Sequence, residues 1–170
     1  MKKTLIVAIM VAVTAALLSS CAAASIRVKA GYWMPNEELK GYGVTVPESG
    51  LTYGAEMTTA LPGDIMELGL GAQYFNSEVK VGDDALTWEV IPVQGTAYFD
   101  LGSAYLGAGV GYYFFTFKEN GDSASESELG YHGVLGFNLT DMIFLEGRYA
   151  TCTIDEVDVG GISALLGISF

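Results

Sequence analysis

What most restricts the folding of this chain is a two-residue alternation. It recurs from about residue 25 to the last residue, and no helical periodicity appears anywhere after Ser25. In the closing GISALLGISF, Ile162, Ala164, Leu166, Ile168 and Phe170 point one way from an extended backbone, while Ser163, Leu165, Gly167 and Ser169 point the other. In SIRVKAGYWM, Ile26, Val28, Ala30, Tyr32 and Met34 oppose Arg27, Lys29, Gly31 and Trp33. Such segments predict strands at about 25–34, 51–61, 64–76, 86–99, 103–118, 126–138, 142–152 and 159–170.

One such strand would also suit a soluble sandwich or a lipocalin-like barrel, so the connections have to decide between them. They alternate in length: NEELKGYGVTVPESG, SEVKVGDDAL and KENGDSASE are long, LPGD, DLGS and NLTDM are tight, and TIDEVDV is intermediate. Sorting long loops to one end and tight turns to the other is how membrane-spanning barrels are connected, and a sandwich has no reason to do it. The expected fold class is all-β, an eight-stranded antiparallel transmembrane β-barrel.

In that architecture the faces assign themselves. A lysine or arginine facing lipid at mid-depth costs about 2–4 kcal/mol, so the charged face must turn inward. The interior then receives a polar network of Arg27, Lys29, Glu56, Glu67, His132, Glu146 and Arg148. Eight strands leave an interior that side chains just fill, so a plug of ion pairs and hydrogen bonds is expected in place of an open channel. Aromatic residues including Tyr32, Trp33, Tyr53, Trp88, Tyr98, Tyr105, Tyr131, Tyr149 and Phe170 fall mostly near strand ends, where interfacial girdles belong.

The N-terminal MKKTLIVAIMVAVTAALLSSCAAAS carries two lysines, an apolar run and small residues, which predicts a cleavable signal peptide over 1–24, export through the Sec pathway and a barrel domain over 25–170. Leu18-Ser19-Ser20-Cys21 also resembles a lipobox, in which Cys21 would be acylated. Cleavage after Ala24 would leave Cys152 as the sole cysteine, with no intramolecular disulfide. The formal charge is -12, and loss of Lys2 and Lys3 makes it more negative still, which argues against nucleic-acid binding.

These features together resemble the small eight-stranded outer-membrane barrels of Gram-negative envelopes, of the OmpA-barrel, OmpX and OmpW type. YLGAGVGYYFF is similar to the glycine-alternating central strand of those proteins. The resemblance implies residence in the cell outer membrane among lipids and lipopolysaccharide and an assembly signal in Ile162, Ala164, Leu166, Ile168 and Phe170 that is read by the barrel-assembly machinery, and a monomer is the expected oligomeric state. Its implied function is envelope integrity or surface interaction through the loops. The OmpW likeness implies, as an alternative, a narrow channel for small or hydrophobic molecules. A lipid A-modifying enzyme is a further alternative, but deacylases of the barrel class resemble a His-x-Ser arrangement, and here Val134 stands where Ser would follow His132.

No catalytic or cofactor motif is assembled elsewhere. Gly107-Ala108-Gly109-Val110-Gly111 lies inside a strand and opens no helix, so its glycines are expected to make room for lumen side chains. Asn138 and Asp141 of NLTDM read as turn formers. The loops are acidic, through Glu37, Glu38, Glu48, Glu78, Asp83, Asp84, Glu119, Asp122, Glu126, Asp155, Glu156 and Asp158. Such loops are expected to be solvated, with Ca²⁺ or Mg²⁺ shared with lipopolysaccharide phosphates as the sharper reading, because hard cations prefer oxygen ligands.

Overall fold

A computed structural model describes residues 24–35, 49–63, 65–81, 84–119, 122–154, 157–158 and 160–170. The expected signal segment, Cys21 and the acidic residues Glu37, Glu38, Glu48, Asp83, Asp155 and Glu156 lie outside the described residues. The strands are β1 (Ala24–Pro35), β2 (Gly50–Ala60), β3 (Met66–Val81), β4 (Asp84–Asp100), β5 (Ala104–Glu119), β6 (Asp122–Asn138), β7 (Ile143–Ile154), β8 (Val157–Asp158) and β9 (Gly161–Ser169). Each barrel strand pairs antiparallel with its neighbours in chain order, and β9 returns to pair with both β7 and β1, closing an eight-stranded barrel. The two-residue β8 pairs with the end of β7 in the register of β9, so it carries the β7–β9 ladder on toward their connection.

Alternation explains the wall. Among the described residues, the outward positions of the barrel are uncharged up to the Glu89–Lys118 ion pair at the end opposite the tight turns, and Leu51, Tyr53, Tyr131, Leu166 and Phe170 are each more than half exposed there. A continuous apolar exterior of this kind is stable only in hydrocarbon, and closure leaves no strand edge unpaired within it. The β3–β4 ladder skips Gln73 and Tyr74 opposite Ile91 and Pro92, because Pro92 has no N–H to donate.

The three tight turns share one end of the barrel with Ser25 and Phe170, and Ile26 and Phe170 exchange backbone hydrogen bonds of 3.0 and 2.9 Å there. Gly63 and Gly102 adopt φ of 106° and 91°, conformations open to glycine at little cost. In the third turn, Asn138 and Asp141 are not the organisers that the sequence suggested. The Thr140 hydroxyl instead accepts the N–H groups of Met142 and Ile143 at 3.2 and 2.9 Å.

At the opposite end the structure corrects two expected loops. Residues 77–86 and 119–126 were expected as connections, yet β3 and β4 run on to Val81 and Asp84, and β5 and β6 to Glu119 and Asp122. Alternation persists in these stretches with polar residues, since a hairpin beyond the apolar band needs no greasy face. β6 pairs with β5 along its whole length but meets β7 only from Gly130 onward. A four-stranded sheet, β3 to β6, therefore projects past the barrel rim. At about 3.4 Å per residue, the stretch Asp122–Leu129 extends roughly 27 Å.

Candidate functional site

The inward side chains form three layers along the barrel axis. Nearest the tight turns, Arg27 donates to Glu67 at 2.6 Å, and its guanidinium lies 5.1, 5.4 and 5.7 Å from the ring centroids of Tyr98, Tyr105 and Phe144. Three aromatic faces around a cation, with a carboxylate at its edge, replace the water it would otherwise hold.

The middle layer is a neutral quartet of buried charges. Lys29 Nζ lies 3.1 Å from Glu56 and 3.0 Å from Glu146, and Arg148 Nη2 lies 3.6 Å from Glu56 and 3.1 Å from Glu146. Arg148 also donates to Gln94 and, at 3.3 Å, to the Tyr98 hydroxyl, while Tyr105 donates to Glu146 at 3.3 Å. All four charged side chains are at most 3% exposed, so each depends on the others for the stabilisation that water no longer provides. His132 sits in the same layer but apart from the ions. Its Nε2 is 2.9 Å from the Thr96 hydroxyl, and its Nδ1 has no hydrogen-bond partner among the described residues.

Above the quartet, toward the projecting sheet, the lumen becomes aromatic. Trp33 packs on Phe75 at 4.0 Å between centroids and meets Trp88 at 6.3 Å, and Trp88 and Tyr113 both flank Phe115, with Val90 and Cys152 completing the cluster. A cavity of about 40 Å³ remains between Trp33, Phe75, Gln73, Gln94, Tyr113 and Arg148, room for a few waters.

The structure thus puts all seven sequence-assigned lumen residues inside and joins six of them into ion pairs, while His132 is bonded to Thr96. It corrects the aromatic assignment: Trp33, Trp88, Tyr98 and Tyr105 are buried in the lumen and do not belong to an interfacial girdle. The interior is therefore an ionic layer between two aromatic ones, and not ions and hydrogen bonds alone. Glycine makes this possible, because the Tyr105 ring lies where a side chain at Gly136 would start and Phe144 does the same at Gly167.

Sequence reading missed Gln94, Thr96 and Tyr98, which share the inward parity of β4, because the uncharged run around Pro92 hides which face is polar. A nucleophile and base are suggested by Thr96 and His132, yet no carboxylate orients Nδ1, and both groups are sealed in the lumen. Among the described residues no three His, Cys, Asp or Glu side chains are placed to hold a metal ion. Ile162, Ala164, Leu166 and Ile168 of β9 lie on the apolar wall, with Phe170 just past the strand at its rim.

No protein-family model matches the sequence, and no curated protein matches it either. Solved structures do resemble it. Ail, the attachment invasion locus protein of Yersinia pestis, in complex with the heparin analogue sucrose octasulfate, aligns over 87% of this chain and 99% of its own, with TM-score 0.58 and 18% identity. Neisserial surface protein A aligns over 86% and 97%, with TM-score 0.58 and 15% identity. The N-terminal β-barrel domain of Pseudomonas aeruginosa OprF aligns over 86% and 97%, with TM-score 0.52 and 13% identity. The chain has the fold of the small eight-stranded outer-membrane barrels.

Proposed function

We propose that the protein resides in the Gram-negative outer membrane as a non-enzymatic barrel with a closed lumen, and that it acts at the cell surface through the strands that project beyond the rim. The observation that carries this reading is the contrast between the two ends of the molecule. The barrel interior is filled by buried ion pairs and rings, whereas β3 to β6 continue as a solvated sheet where a partner has access. Its expected surroundings are outer-membrane lipid and lipopolysaccharide, and its outward β9 residues fit recognition by the assembly machinery during insertion after export.

The ligand named for Ail is not carried over. A polysulfated sugar suits a basic surface, and this chain has a formal charge of -12. The test uses proteoliposomes holding the full protein, or a variant in which 77–87 and 116–125 are replaced by short turns. Adhesion to protein-coated surfaces should fall when the projecting strands are shortened, and inserted protein should be electrically silent in planar bilayers. Steady conductance would favour the channel reading, and unchanged adhesion would remove the surface one.

A further inference from the structure

We infer that the mouth of the barrel at the tight-turn end is a blind cup that binds a short aliphatic diamine as its diammonium ion. The cup lies opposite the projecting strands and stands apart from whatever those strands contact.

The two ends of the lumen are filled unequally. Above the charged quartet a cavity of about 40 Å³ is left among the rings, whereas below it an open recess of about 480 Å³ lies between the β4–β5 and β6–β7 turns and the first residues of β1 and β3. A volume of that size is in the range of small-ligand sites. Arg27 and Phe144 line its base, and the buried quartet lies beyond them, so a molecule that enters meets a floor and not a passage.

Charge selects the ligand. Glu67, Asp141 and Arg27 are the charged residues of the recess, which leaves it an excess of negative charge. Glu67 gives Oε2 to Arg27 at 2.6 Å and is 30% exposed, and its Oε1 makes no hydrogen bond among the described residues. Arg27 offers no matching place to an anion, because Glu67 takes its edge and the rings of Tyr98, Tyr105 and Phe144 surround its guanidinium. Asp141 stands in the turn between β6 and β7, and β3 and β7 are four strands apart either way round the ring, so the two carboxylates occupy opposite sides of the mouth. A single metal ion has no set of three such side chains to hold it among the described residues. Two ammonium groups joined by methylenes meet both carboxylates, with the methylenes over Phe144. Each ammonium carries three donors. On the Asp141 side, the Asn138 amide nitrogen already donates to the Gly102 carbonyl at 3.4 Å, which leaves the Asn138 oxygen and the Ser103 hydroxyl to accept.

The test uses the full, isotopically labelled protein in phosphatidylcholine nanodiscs, titrated with 1,4-diaminobutane at constant ionic strength. Saturable chemical-shift changes are expected at the amides of Gly102 and Ser103 and at the side-chain amide of Asn138. Binding of 1-aminobutane, which reaches one carboxylate only, should be about threefold or more weaker, and Mg²⁺ should not reproduce the shifts. Asp141→Asn and Glu67→Gln should each weaken 1,4-diaminobutane about threefold or more, and together they should abolish saturation. If Glu67→Gln does not refold, Asp141→Asn in its exposed turn still decides, because it must remove the advantage of the diamine over 1-aminobutane. Absence of saturable shifts at these positions, the same shifts with Mg²⁺, or a diamine advantage that survives Asp141→Asn would overturn the inference.

Discussion

Arg148→Leu is the most direct probe of the lumen. The substitution removes the guanidinium that lies 3.1 Å from Glu146 and 3.6 Å from Glu56, leaving two buried carboxylates with Lys29 alone. It also strips Gln94 and the Tyr98 hydroxyl of a donor. Breaking a buried pair by deleting one partner costs about 3–5 kcal/mol, because the remaining charge stays desolvated. Leucine is also shorter than arginine and leaves space beneath Trp33 and Tyr113. The pair Glu146→Gln and Arg148→Met separates charge from volume, because it keeps Lys29 with Glu56 and restores neutrality. That double variant should recover most of the loss, since neutral replacements of similar volume are often tolerated where a lone charge is not. Equilibrium unfolding by urea in lipid vesicles, followed by the fluorescence of the buried Trp33 and Trp88, measures both. A loss below about 1 kcal/mol for Arg148→Leu, or a double variant no better than the single one, would refute the claim that charge balance holds this layer together.

Other consequences are cheaper to check. Gly136→Val drives a side chain into the Tyr105 ring and should cost about 1–3 kcal/mol in the same unfolding assay, whereas Gly133→Ala, with nothing within 4 Å of its new carbon, should be close to neutral. Leu166→Arg places a charge on the apolar wall and should cost about 2–4 kcal/mol if it lies near the bilayer midplane, with a smaller loss expected nearer the rim. Arg27→Ala should be milder than Arg148→Leu, because Glu67 is 30% exposed and water can take over its carboxylate, as side-by-side urea midpoints would reveal. Shortening the projecting hairpins should leave the urea midpoint of the barrel nearly unchanged while adhesion falls.

Much of this was legible because a barrel in lipid enforces parity. Arg27 and Lys29 are two apart, as are Glu146 and Arg148, so the facing of whole strands follows from a few charges. Trp33 shares the face of Arg27 and Lys29, so its inward place was open to the same rule although its position near a strand end suggested a girdle, while in β4 the nearest charge, Glu89, stands on the face opposite Trp88 and points the wrong way. Strand ends were lost for a related reason. SEVKV and SASESEL are too short and too polar to mark a strand, and outside the bilayer a polar ribbon and a loop have similar composition. What no reading of one strand supplies is the meeting of side chains across strands: Tyr98 and Gln94 of β4 reach Arg148 only because closure brings β4 opposite β7.

That closure has a kinetic consequence. Lys29 stands in the first strand and Glu146 in the seventh, 117 positions apart, and their contact lies beside the seam where β1 meets β9. Until the last strand is seated, the two charges have no reason to leave water, so the quartet dehydrates late, when the cylinder zips shut. Interactions made after the folding barrier slow escape without hastening arrival. The ionic layer is then a latch, and its strength sets how long a finished barrel stays finished.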